Sequence, residues 1–266
     1  DRIRCLEKVF GKGEVDLSYT NFTACGIRHT QILEAGRQVG YAMDQEEYIK
    51  ALKPIDTPES RSGSSDALAD PMSAKLYLSL LMAVAFAMQT RLDLGAYIVA
   101  LQRNLQTPKY LHIRRLNTVV RWSQKNPLKI IYRKFVCERV LECHTDAGFR
   151  REEDVDGHEE GRATRGTNVF RLGPKVGTTR QCHLLEFQVG TTKQVVRSTL
   201  TAEGHAILGA VDTCLGLRVT MDEILHGPVD ASRAAQLVES GEGTYQLDCV
   251  TDSKNIVAAI EVSRTK

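Results

Sequence analysis

Apolar positions recur with a helical period in the middle of the chain and alternate as strands do further on. From Ser73 the rows Leu76–Leu80–Val84–Met88 and Tyr77–Leu81–Val84 predict an amphipathic helix. Pro71 suits its first turn, where a missing N–H costs nothing. A second helix is predicted from Asp93 to Gln106. A third runs from Pro108 through Leu111, Leu116, Val119 and Trp122 to Asn126-Pro127. The stretch Lys53 to Pro71, rich in proline, serine and glycine, reads as an exposed linker or long loop.

After Pro127 the period shortens. Leu128 to Phe135, Arg139 to Thr145, Thr167 to Leu172 and Cys182 to Val189 are predicted strands. Ser198 caps a helix whose apolar face is Ile207, Ala210, Val211 and Cys214. Tyr245 to Thr251 is a further strand, and Ser253 caps a last helix through Ile256, Val257 and Ile260. Strands first, then helix, strand, helix imply an α+β or α/β domain with a mixed sheet and flanking helices, and α+β is the expected class. A boundary near Pro127 separates a helical region, 1–127 with its linker at 53–71, from a sheet-bearing region, 128–266.

Composition narrows the class. The chain has 266 residues, 42% hydrophobic and 26% charged, which excludes collagenous, wholly disordered and coiled-coil proteins. Seven cysteines without a CxxC pair speak against a disulfide framework and for reduced thiols, hence an intracellular, cytoplasmic or nuclear, non-secreted protein. The longest apolar run, Leu76 to Met88, is too short to span a bilayer, so no membrane partner is expected. The opening Asp1-Arg2-Ile3-Arg4 has no initiating Met, and the chain reads as a piece of something longer.

The net charge of +2 hides two opposite blocks. Leu101 to Arg139 carries ten basic residues against Glu138 alone, and Val140 to Gly161 carries eight acidic residues against two arginines. A basic helix with Trp122 beside a basic strand with Tyr132 suits contact with a phosphate backbone. The candidate contacts are Arg114, Arg115, Arg121, Lys125, Lys129, Arg133 and Lys134, with Lys193 and Arg197 further along. A solvated helix face is the alternative. In the acidic block Asp154-Val155-Asp156-Gly157 places its glycine too early for an EF-hand and reads as a solvated loop.

Three carboxylates stand out. Asp146 and Asp252 each close a predicted strand, where sites in α/β sheets gather. Glu203 shares a helix face with Ile207, Ala210 and Cys214, and a carboxylate there is costly unless compensated. Converging, the three would form an all-oxygen site suited to Mg²⁺. Each has a plainer reading: Asp146 as a turn residue, Asp252 as a cap, Glu203 as a dipole partner at the helix start. A mixed site with His144 and His205 is a further, weaker alternative. No GxSxG, GxGxxG, P-loop or HExxH pattern occurs, so acyl hydrolysis, dinucleotide binding and NTP hydrolysis have no support.

The words around these acids resemble the polyprotein of copia-type LTR retrotransposons. Lys193 to Glu203 (KQVVRSTLTAE) resembles the family block "KQ…V..SSTEAEY", and Tyr245 to Lys254 (YQLDCVTDSK) its "v.v.tDS.s". His144 to Phe149 (HTDAGF) is similar to "g.tDAdwa", and Gly166 to Phe170 sits where the family has "STSGY.f". Upstream, Tyr77–Leu81 through Met88–Leu94 resembles "Y.s.vGsL.Y...TRPDI", Gln45 to Lys50 resembles "lsQ.kYi...L", and Trp122 falls near "aa.rvlrYLkgT".

The resemblance implies the thumb and connection of a reverse transcriptase followed by a ribonuclease H-like domain. That domain would hydrolyse RNA in an RNA–DNA hybrid with Mg²⁺, as part of the Pol polyprotein. Asp146 would bridge two ions, and Glu203 and Asp252 would hold the one nearer the leaving group. Departures accompany the likeness. Leu92 replaces the proline of TRPD, and Gly204 stands where the family has tyrosine. The polymerase motif YxDD would lie upstream of Asp1, and the fourth carboxylate, with its histidine, beyond Lys266. The expectation is therefore an enzyme fragment of weak or no activity alone, the alternative being a degenerate, non-catalytic remnant that only binds nucleic acid.

Overall fold

The computed structural model describes residues 21–58, 61, 66–136, 138–148, 152–153, 159–160, 163–192, 195–196, 198–239 and 243–264. Two tight turns set the first sheet. Cys25-Gly26 and Ala35-Gly36 all have positive φ, as a two-residue hairpin loop requires, and each pair ends in the residue that adopts it freely. They join β1 (Asn21–Ala24), β2 (Ile27–Glu34) and β3 (Arg37–Asp44) into an antiparallel meander that the hydrophobic pattern did not announce. β4 (Ile130–Arg133) completes that sheet by pairing with β3, although it follows Pro127 in sequence. Asp44, buried at the end of β3, ties the sheet together: it accepts from Arg28 at 2.8 Å and lies 3.7 Å from Lys129.

The helical unit follows. α1 (Glu46–Ala51) leads to α2 (Pro71–Ala87), a 3₁₀ turn (Leu92–Leu94), α3 (Gly95–Gln102) and α4 (Tyr110–Lys125). Pro71 opens α2 as expected, and Asp70 caps it by accepting from the Met72 and Ser73 amides. The buried face of α2 is Tyr77, Leu80, Leu81, Val84 and Ala87, with Met88 partly buried against the same core, so of the two predicted rows only Leu76 is exposed. Tyr77, Leu81 and Val84 pack with Leu94, Ile98, Ile113, Leu116 and Val120 in one core. Arg91 is buried beneath this core, chelated by Asp93 at 2.9 and 2.8 Å and covered by the Trp122 ring. The predicted linker is pinned near both ends: Asn117 binds both backbone groups of buried Ile55 at 2.8 Å, and a Leu68–Lys109 bridge is flanked by the Ala69 amide donating to the Pro108 carbonyl and the Tyr110 amide donating to the Ala67 carbonyl.

The second sheet is mixed. β5 (Val140–Gly148), β8 (Thr164–Val176) and β9 (Thr179–Thr191) form an antiparallel meander, and β10 (Gln246–Val250) pairs in parallel with β5. The order is β10-β5-β8-β9, with a small ribbon of β6 (Glu152–Glu153) and β7 (Glu159–Glu160) set apart. β8 and β9 are longer than the segments predicted for them, and β5 carries past Thr145 to Gly148. α5 (Thr199–His226) covers one face, followed by α6 (Ala231–Glu239) and α7 (Lys254–Arg264). Helices and mixed and antiparallel sheets make the fold α+β, as the order of elements implied. No helix among the described residues is long and apolar enough to cross a membrane.

Asn117→Ala would remove both buried hydrogen bonds that its side chain makes to the Ile55 backbone. It should lower unfolding free energy by about 2–3 kcal/mol, measured by urea denaturation.

Candidate functional site

Small side chains let α5 lie close on β5. Ala202, Ala206 and Ala210 are fully buried, and they meet the inward-facing Ala147 and Cys143. This face is rotated from the predicted one, since Ile207 and Val211 are only half-buried. Ser198 sets the start of the helix by accepting from the Thr201 amide. Glu203 falls in the second turn, on the buried face.

β5 alternates strictly. Leu141, Cys143, Thr145 and Ala147 face inward, and Glu142, His144, Asp146 and Gly148 face the other way. β10 stops opposite His144, its last partner being Val250. Beyond that point β5 has no neighbour on this side, and Asp252 lies just past the end of β10. Asp146, Glu203 and Asp252 meet there, each offering one carboxylate oxygen, and these oxygens all lie within 4.8 Å of one another. The three acids singled out in the sequence are thus brought together. Asp146 lies within its strand, two residues before its end, so its position is fixed by pairing with Gly166 on β8.

The electrostatics of the group are unrelieved. Glu203 is only 6% exposed. Its Oε2 has no hydrogen-bond partner among the described residues. Burial raises its pKa, the Asp146 and Asp252 charges raise it further, and the Ala147 amide opposes them. No ion pair among the described residues reaches any of the three acids. A buried carboxylate oxygen without a donor, facing two more carboxylates, is what a hard divalent cation satisfies, and the all-oxygen donor set fits such an ion.

Asp146 and Asp252 line a cleft of about 900 Å³. Its floor is the outward face of β5 and β8, including His144, Thr164 and Asn168. Its opposite wall comes from the helical unit, through Ala96, Ala100 and Arg103 of α3 and the following turn. α3 reaches the sheet because residue 95 has no side chain: a Cβ at Gly95 would stand 2.6 Å from Val189 Cγ1. Arg103 then donates to Thr164 Oγ1 at 2.6 Å, and Tyr132 donates to the Leu184 carbonyl at 2.8 Å. Beside Asp146, His144 holds Glu142 at 2.8 Å.

None of the described basic candidates lines this cleft. Arg114, Arg115, Arg121 and Lys125 are on α4, Arg114 half-buried and the others exposed. Lys129 lies near Asp44, Arg133 pairs with Glu34, and Lys134 is exposed beyond β4. Lys193 and Arg197 lie outside the described residues. The cleft cation, Arg103, was not a candidate; it belongs to the basic block, but nothing local distinguishes it from its neighbours. His205, on α5, and His144 do not join the acidic group. Compared with protein-family models and with curated proteins, the chain matches none.

Because the folded protein holds the Glu203 proton more tightly than the unfolded chain does, this contribution to stability is fully present below the unfolded pKa near 4.5. It is lost as pH rises through the folded one. Without divalent ions, Glu203→Gln should therefore be more stable than wild type near neutral pH, and the gap should close by about pH 4. Thermal melts in EDTA across that range read it directly.

Proposed function

We propose that the chain is a ribonuclease H-like part of a reverse-transcribing element's polyprotein, hydrolysing the RNA strand of an RNA–DNA hybrid with Mg²⁺. The observation that carries this reading is the convergence of Asp146 and Asp252, which line a cleft, with buried Glu203, whose Oε2 has no donor among the described residues. The carboxyl end of parallel β5 and β10 is where such sheets place chemistry. A mixed sheet with a helix on one face also agrees with the architecture that the copia-type resemblance implies.

Asp146, Glu203 and Asp252 would hold the ion, whose chemistry is to stabilise charge developing on phosphate oxygens. The chain's own groups do the positioning. Gly148 and Gly166 flank Asp146 on the cleft floor, and a Cβ at Gly166 would meet nothing within 4 Å, which leaves room for a bulky strand. Arg103 presents a cation on the far wall, and Asn168 and Thr164 offer polar contacts to sugar or phosphate. Gly204 is compatible with this packing: a Cβ there would sit 3.8 Å from Ile256, an ordinary contact. Its departure from the family's tyrosine does not by itself open the helix.

Two measurements test the reading. Saturating Mg²⁺ should stabilise the wild-type chain, by about 2.7 kcal/mol at a hundred times Kd, and should not stabilise Glu203→Gln. The wild-type chain should cut the RNA strand of a hybrid slowly in Mg²⁺ and not in EDTA, and Asp146→Asn should lower this slow rate by ~10²-fold or more. Mg²⁺ stabilisation without cleavage selects the non-catalytic remnant; the absence of both overturns the metal site.

A further inference from the structure

Helix α3 has two lined faces. One forms the wall of the acidic cleft. The other, through Tyr97, Leu101 and Asn104, borders a second cavity of about 400 Å³ whose far side is α4, at His112, Arg115 and Val119. Ala100 lines both, so the two cavities adjoin at this one small side chain.

The second cavity has the parts of a stacking site. Leu101 is buried and gives an apolar floor, while Tyr97 stands 60% exposed with no aromatic partner among the described residues. Arg115 is exposed and forms no ion pair among the described residues. α4, which supplies it, has four basic residues and no acidic one. The volume suits one small planar group and falls at the lower end for ligand cavities. A base still paired in a duplex keeps its faces covered, so only an unpaired base can enter.

We propose that the α3–α4 cavity binds one unpaired base of a single-stranded extension leaving the acidic cleft, stacked on Tyr97 with its phosphate at Arg115. This rests on the nucleic-acid reading of the neighbouring cleft. Aromatic stacking tolerates any base, and the guanidinium contacts backbone alone, so the site discriminates strandedness and not sequence.

The test uses the full chain carrying Asp146→Asn, in Mg²⁺, with a blunt RNA–DNA hybrid and the same hybrid bearing a short single-stranded extension. Fluorescence anisotropy should show that the extension tightens binding about tenfold. Tyr97→Ala should remove that gain and Tyr97→Phe should keep it. Arg115→Gln should lower the salt slope of the extended substrate by about one. A gain that survives Tyr97→Ala, no gain at all, or equal competition by a free nucleoside monophosphate would each overturn the site. Cleavage of the blunt hybrid by the wild-type chain reports on the cleft separately. Without it, a Tyr97-dependent gain still upholds the stacking site; a chain that binds neither substrate overturns both readings.

Discussion

The close seat of α5 on β5 is the contact on which the acidic end of the molecule depends. Three alanines, at 202, 206 and 210, contribute little apolar area each, so their use is geometric: they let backbone approach backbone. That approach brings Glu203 to the level of Asp146, where β5 is still paired with β8 but, among the described residues, has no neighbour on the side where β10 has ended. A larger residue at 206 would lift the helix and separate the carboxylates before it disturbed either strand. The same seat buries Glu203 Oε2, which has no hydrogen-bond donor among the described residues.

The helical unit is joined to this arrangement through backbone and small groups. β4 extends the first sheet, Tyr132 on β4 binds the Leu184 carbonyl of β9, and Gly95 lets α3 rest on Val189. Ala96 and Ala100 therefore face the cleft without filling it, and Arg103 bridges to Thr164 across its edge. The buried Arg91–Asp93 pair holds the turn that enters α3, and its third bond, to the Ser123 carbonyl, fixes that turn against α4. The resemblance to "TRPD" marked these residues, and their role here is positional: they orient α3 toward both cavities.

Sequence periodicity located the elements whose neighbours are local and lost those whose neighbours are distant. Pro71, Ser198 and the strand at 246–250 were legible because caps, proline and alternation act within a few residues. The first hairpins were not, since Cys25 and Ala35 are unusual at positive φ and leave no Asn-Gly or Asp-Gly signature. Leu76 looked like core because periodicity reports an apolar row without saying where a partner's cover ends. The three acids were legible through the strand ends of Asp146 and Asp252, the anomaly of Glu203 among apolar positions, and the words around them. The cleft was not, because its α3 wall and its sheet are far apart in sequence and meet through a glycine.

Unmet cost is the argument for treating the acidic group as a working site. A structural carboxylate cluster would ordinarily recruit an arginine or lysine, as Asp44 recruits Arg28 and Lys129 in the first sheet. Around Asp146, Glu203 and Asp252 no such cation arrives among the described residues, and Arg103, the one basic side chain lining the cleft, is engaged with Thr164. The fold thus tolerates a raised pKa and an orphaned oxygen at the point where a single divalent ion would relieve both. Local conflict of this kind, in a region where propensity, capping and packing otherwise agree, is where function is retained at the expense of stability.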